Sequence, residues 1–293
     1  MSKLFKGVGP ALITPFKKDY SIDFEGLERL LVHTAQGADY YVVQGTTGES
    51  ATTTLEEKRA ILDFILSHNP KQLPVVFGVG GNNTLAVVSF LKDFNFEGVE
   101  AILSASPHYN KPSQEGIYRH YVAIADASPK PVILYNVPGR TASNIAAETS
   151  LRLAEHKNII GIKEASGNLE QCMHIAANKP ADFMLISGDD LMTNSLISLG
   201  AVGVISVLAN PFPQVFAQMV RPALENNFKA SNEALFKLLQ VNALMYEESN
   251  PVGAKEALKQ LGVCEHYVRM PLLPASDALA NKIKNLIISL NLN

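Results

Sequence analysis

Eight short runs of Val, Ile and Leu recur along the chain, each followed by a stretch whose apolar positions return at helical spacing. They are GVGPALITPF (7–16), DYYVVQG (39–45), LPVVFGVG (73–80), GVEAILSA (98–105), PVILYNV (131–137), NIIGIKEAS (158–166), FMLISGDD (183–190) and AVGVISVLAN (201–210). Near-continuous apolar strands alternating with helices predict parallel strands covered on both faces. Eight such units in about 225 residues predict an α/β fold of the closed (β/α)8 type, the TIM barrel. The competing arrangement is a doubly wound open sheet, which would carry a dinucleotide fingerprint. GVGGNN (78–83) follows a strand but lacks the third glycine of G-x-G-x-x-G, so it reads as a turn.

After NPFP (210–213) and one more helix, only helical periodicity remains. FKASNEALFKLLQVNALMYEES (228–249) is followed by NPVGAKEALKQLG (250–262), where Pro251 suits a first helical turn and Gly262 a stop. Ser276 then opens SDALANKIKNLIISL (276–290). The expected organisation is a barrel catalytic domain over 1–227 and a small C-terminal helical domain over 228–293.

Composition narrows the function. With 293 residues, 47% of them hydrophobic, and a formal net charge of −3, the chain can bury a large core. Its 25 lysines and arginines are scattered, and no basic patch is interleaved with aromatics, so no nucleic-acid partner is expected. Cys172 and Cys264 lie far apart, outside any C-x-x-C or Cys/His cluster, and read as reduced buried thiols. No apolar run approaches the ~20 residues of a membrane span, and the N-terminus lacks a signal-peptide core, so a cytoplasmic protein is expected. The seven histidines show no metal-ligand spacing, and neither G-x-S-x-G nor a P-loop occurs. The sequence therefore predicts no metal, no nucleotide and no other cofactor.

The strongest chemical signal is a lysine inside an apolar strand. Alternation in IIGIKEAS turns Ile160 and Ile162 toward the helices and Gly161, Lys163 and Ala165 inward, the two small residues leaving space around the amine. Glu164 points to the opposite face, so an adjacent ion pair does not explain the charge. Burial without a neighbouring carboxylate disfavours the ammonium and favours a nucleophilic amine, as Schiff-base chemistry requires. The alternative is a lysine at a strand end that reaches solvent or pairs across the barrel. In PVILYNVPGRT the same parity places Ile133 and Tyr135 on one face, so Tyr135 projects into that interior. Arg140 follows in the loop, where a guanidinium clamps a carboxylate or sits in water. GTTGES (45–50) offers threonine amides and hydroxyls for a carboxylate or oxyanion, and SPHYNKPSQEG (106–116) holds Tyr109 in a polar loop.

GTTGES, YNVPGRT and GIKEASGN, in this order on three strands, resemble the pyruvate-dependent Schiff-base aldolase and lyase superfamily, and within it the dihydrodipicolinate synthase family. The likeness runs from GVGPALITPF to the helical end. It implies that Lys163 forms an imine with pyruvate, whose enamine attacks L-aspartate 4-semialdehyde. It further implies a proton relay of Thr47, Tyr135 and Tyr109, pyruvate carboxylate held by Thr46 and Thr47, and the semialdehyde carboxylate received by Arg140. Gly188 and Ile205 match positions whose backbone lies beside the lysine. Tyr109 would reach a neighbouring subunit, making a homo-oligomer of at least two subunits, in this family often a tetramer built as a dimer of dimers. Relatives that lysine inhibits bind it near positions matching Ser50, Ala51, Leu55, Lys58, Asn82, Ala86 and His108. Here Leu55 replaces a histidine, Ala86 replaces a glutamate and Lys58 adds a like charge, so lysine feedback is expected to be weak or absent. An N-acetylneuraminate lyase or related sugar-acid aldolase is the alternative activity on this scaffold, and the arginine of YNVPGRT speaks against it.

Overall fold

Every apolar run contains a strand shorter than the run itself. In the computed structural model, which describes residues 4–291, these are β1 (Gly7–Pro10), β2 (Tyr41–Val43), β3 (Val75–Gly78), β4 (Ala101–Ala105), β5 (Val132–Asn136), β6 (Ile159–Glu164), β7 (Met184–Ser187) and β8 (Gly203–Ser206). The first run shows why they are trimmed. Beyond Ala11, which bridges Val42 in parallel, the Ile13 amide turns to the Asn210 side chain (3.1 Å) instead of a ladder carbonyl. The strands form one sheet in the order β1-β8-β7-β6-β5-β4-β3-β2, the cyclic order of a (β/α)8 barrel.

Two compact units are present. One takes in Pro74–Ile205 with the residues up to Lys6, and the other Gly7–Leu73 with the residues from Ser206 onward. The first holds the parallel ladder from β3 to β7. Val76, Phe77, Ile102, Ile133, Leu134, Ile162, Leu185 and Ile186 are buried on its strands, which explains their apolar character on both faces. Its β5–β6 pairing carries a bulge: Val132 faces Ile159, but Ile133 faces Gly161, so Ile160 is the extra residue. From there Tyr135 stands opposite Lys163 and Asn136 opposite Glu164.

Helix starts follow the polar residues that precede them. Asp23, Thr54, Asn83, Ser113, Asn168 and Ser276 each accept an amide of the first turn, and Thr54 forms a full capping box with Glu57. Asn83 thus ends GVGGNN as a helix cap. The second unit contains the helices Phe228–Tyr246, Val252–Gln260 and Asp277–Ser289. A Cβ at Gly253 would run into the Leu244 carbonyl oxygen and Met245 Cα at 2.5 and 2.6 Å, so glycine lets the first two of these pack closely. Gly262 takes φ +71° just past the second. The ends of the expected ranges 1–227 and 228–293, residues 1–3 and 292–293, lie outside the described residues.

Candidate active site

Lys163 is 6% exposed on β6, and its Nζ sits 4.1 Å from the centroid of the Tyr135 ring. The pair follows from the register just described, and the ring face stabilises positive charge on that nitrogen. Among the described residues no carboxylate pairs with Lys163. The adjacent Glu164 faces away, accepting hydrogen bonds from Asn136 Nδ2 (3.2 and 3.0 Å), Gln171 Nε2 (3.0 Å) and the Ser166 amide (2.7 Å). This buried carboxylate is satisfied by neutral donors and leaves the amine to other chemistry. Burial of the Cys172 thiol, helped by the nearby Glu164 charge, pushes its pKa up to about 12. The Tyr135 hydroxyl has no hydrogen-bond partner among the described residues, so it is available to a bound reactant.

The open space beside Lys163 comes from a different glycine than the sequence parity indicates. A Cβ at Gly161 would meet the Met184 carbonyl oxygen at 2.7 Å and Met184 Cβ at 2.9 Å, so that glycine serves the close approach of β7. Gly188, just after β7, is the one that borders the lysine: a Cβ there would lie 2.9 Å from Lys163 Cε and 2.8 Å from Ala165 Cβ. Ile205 is buried on β8, one residue beyond Val204, which pairs with Ser187.

Two loops of the same unit are tied together. Arg140 sits exposed in the single turn Pro138–Thr141 and makes no ion pair among the described residues. Tyr109 is 86% exposed with φ +72°, and its amide donates to the Thr141 carbonyl at 3.1 Å. A bulky residue in the left-handed region costs about 1–3 kcal/mol, a strain that favours a functional reason for its place. The Ser106 amide donates to the Tyr135 carbonyl (3.0 Å) and its hydroxyl bonds that of Ser143 (3.1 Å). The loops after β4 and β5 are therefore hydrogen-bonded to one another.

In the second unit, GTTGES forms a tight turn. The Gly48 and Glu49 amides donate to the Gly45 and Thr46 carbonyls, and Thr14 Oγ1 donates to the Gly48 carbonyl at 2.7 Å. Thr46 is exposed and Thr47 buried, with Asn250 Nδ2 donating to Thr47 Oγ1 at 3.1 Å. Glu49 accepts from Lys255 Nζ at 2.6 Å and from the Arg269 amide at 2.9 Å. Burial pulls the Lys255 ammonium below its ordinary range, and the Glu49 carboxylate opposes that pull. Arg269 in turn grips Glu57 with two hydrogen bonds of 2.7 and 2.6 Å.

Asn250, Lys255 and Glu49 escaped the reading of the sequence. A signal was present: in NPVGAKEALKQLG every residue from Val252 to Leu258 is buried, so a lysine there needed a partner. Lys58, expected as an added charge, spends its ammonium on the Ser50 and Thr53 carbonyls and Thr53 Oγ1, each at 2.7 Å. Among the described residues no helix is long and apolar enough to cross a membrane, and no three His, Cys, Asp or Glu are gathered as metal ligands.

Comparison with known proteins gives the family and supports the fold. Residues 4–290 match the profile of the Dihydrodipicolinate synthetase family. A 4-hydroxy-tetrahydrodipicolinate synthase of Cytophaga hutchinsonii is 51% identical over 281 residues, 96% of this chain and 95% of its own. The crystal structure of dihydrodipicolinate synthase from Thermotoga maritima superposes with a TM-score of 0.95 at 35% identity, covering 99% of this chain and 100% of that one. The chloride-inhibited dihydrodipicolinate synthase from Acinetobacter baumannii, complexed with pyruvate, superposes at 0.94 and 35% identity over 98% of this chain and 99% of that one. The fold is thus the (β/α)8 barrel, and the chain belongs to the Dihydrodipicolinate synthetase family.

Proposed function

We propose that the chain condenses pyruvate with L-aspartate 4-semialdehyde to give 4-hydroxy-tetrahydrodipicolinate, with Lys163 as the nucleophile. The observation that carries this reading is a buried amine held against the Tyr135 ring with no carboxylate partner among the described residues. Lys163 Nζ attacks the pyruvate keto carbon and water leaves, giving an iminium whose charge the aromatic face stabilises. Loss of a methyl proton gives the enamine, and its terminal carbon adds to the aldehyde of the semialdehyde. The amino group of that substrate then closes on the imine carbon and expels Lys163 as the free amine. One water is lost overall.

In this reading Tyr135, Thr47 and Tyr109 pass protons, Thr46 and Thr47 hold the pyruvate carboxylate, and Arg140 receives the second carboxylate. Gly188 keeps the space in which the imine forms, with Ile205 on the neighbouring strand. The exposed, strained Tyr109 suits a side chain that completes a partner subunit's site, which requires a homo-oligomer such as a dimer of dimers. We read residues 1–227 as the catalytic barrel, 228–293 as its helical appendix, and the enzyme as cytoplasmic. Lysine inhibits weakly or not at all, since Leu55 and Ala86 offer an ammonium no acceptor. Purified protein given both substrates should consume them in a coupled assay, leave N-acetylneuraminate uncleaved, and lose little rate to low-millimolar lysine. Cleavage of N-acetylneuraminate with no condensation would refute the assignment.

A further inference from the structure

The segment after the helix Phe228–Tyr246 meets the GTTGES turn through two hydrogen bonds of different kinds. Asn250 Nδ2 donates to Thr47 Oγ1, and five residues on Lys255 Nζ donates to Glu49, two residues beyond that threonine. The second bond is a buried ion pair, with side chains 0% and 3% exposed, further held by the Tyr267 carbonyl at 2.7 Å. It anchors the turn. The first bond does something an anchor does not need. Asn250 is 5% exposed, and among the described residues its buried Oδ1 has no partner and its one side-chain hydrogen bond goes to the threonine. The backbone is bent to place it: Ser249 holds φ +95°, while Gly253 lets the next helix pack closely.

A threonine hydroxyl carries a single proton. Because the Asn250 N–H occupies a lone pair of Thr47 Oγ1, the Thr47 proton points away from the amide. We propose that Asn250 is a positioning residue for the condensation: it directs the Thr47 hydroxyl proton toward the bound reactant, while Lys255 and Glu49 hold the two segments in place. The inference rests on Thr47 acting as a proton carrier in the reading above.

Asn250→Ala and Asn250→Asp, each made alone and with Thr47→Val, test it by kcat and by borohydride trapping of pyruvate on Lys163. Loss of one orienting hydrogen bond lowers kcat about tenfold in Asn250→Ala. A carboxylate only accepts, so Asn250→Asp turns the threonine proton back onto itself and loses about tenfold more. Both variants still trap pyruvate at saturation, and in the Thr47→Val background neither changes kcat by more than about twofold. Circular dichroism gives the folded fraction, and if the alanine variant does not fold, Asn250→Ser takes its place in the comparison. Undiminished kcat, an aspartate variant no worse than alanine, or the same loss without the Thr47 hydroxyl would overturn the proposal. An untrapped wild-type Lys163 would instead sink the reading of the site and this inference with it.

Discussion

Adding one methyl group at Gly188 perturbs Lys163 without changing any charge. In Gly188→Ala the new Cβ would stand 2.8 Å from Ala165 Cβ, 2.9 Å from Lys163 Cε and 3.0 Å from Lys163 Cγ. Carbon atoms normally meet at about 3.5–4.0 Å, so the overlaps run to roughly 0.5–1 Å. Gly188 is not in the left-handed region, and alanine therefore brings no backbone penalty. Its amide donates to the Glu164 carbonyl at 2.7 Å, which pins the main chain, and the Ala165 methyl is fixed to its own segment. The flexible lysine stem is what yields. Overpacking costs about 1–3 kcal/mol, and escape of the stem keeps the loss of stability near the lower end. The same escape takes the amine off the Tyr135 face, and a misplacement of about 1 Å slows a reaction by as much as 10²-fold. Quenched-flow trapping with pyruvate and borohydride should show imine formation slowed by roughly 10- to 100-fold, with urea unfolding shifted by about 1 kcal/mol. An unchanged trapping rate would refute the claim that this glycine keeps the space around the amine.

Other perturbations separate the structural parts. Lys255→Met leaves the Glu49 charge buried and should cost about 3–5 kcal/mol in urea unfolding, much of it recovered in Lys255→Met/Glu49→Gln; additive losses would contradict the pairing. Glu164→Gln turns amide protons toward the donors of Asn136, Gln171 and Ser166, costing about 1–3 kcal/mol, and an unaltered unfolding midpoint would disprove that network. His120 is buried beside Thr84 Oγ1 (2.9 Å), and burial pulls its pKa down from 6.5 to about 4. The unfolded chain therefore takes up a proton that the native state refuses, so this stability is present above pH 6.5 and is lost as pH falls toward 4. Wild type should lose up to roughly 3 kcal/mol more than His120→Gln over that window, and parallel pH profiles would show that the imidazole is not so buried.

How much was legible depends on the range of the interactions. That Lys163 and Tyr135 both face inward follows from residue alternation, because a two-residue period within a strand is a local rule, but that they stand opposite one another depends on the bulge at Ile160, which alternation does not show. The same rule pointed to Gly161 for space around the amine. It could not reveal that Met184 of β7 fills that side, since the tightness of strand approach is a tertiary fact. Strand ends were overestimated where an apolar run continues but its amides leave the ladder, as Ile13 does for Asn210. Asn250 and Lys255 were missed because their partners lie about two hundred residues earlier, at separations of 203 and 206. Local spacing carries no trace of such pairs, although the charge inside an all-buried helix marks where one is needed.

One buried amine performs the chemistry in this reading, and intact-mass spectrometry after incubation with pyruvate and borohydride reports on it without a coupled enzyme. A single reduced pyruvyl adduct per chain is expected, mapped by peptide sequencing to Lys163 and absent from Lys163→Arg. An unmodified chain, or an adduct on another lysine, would contradict it.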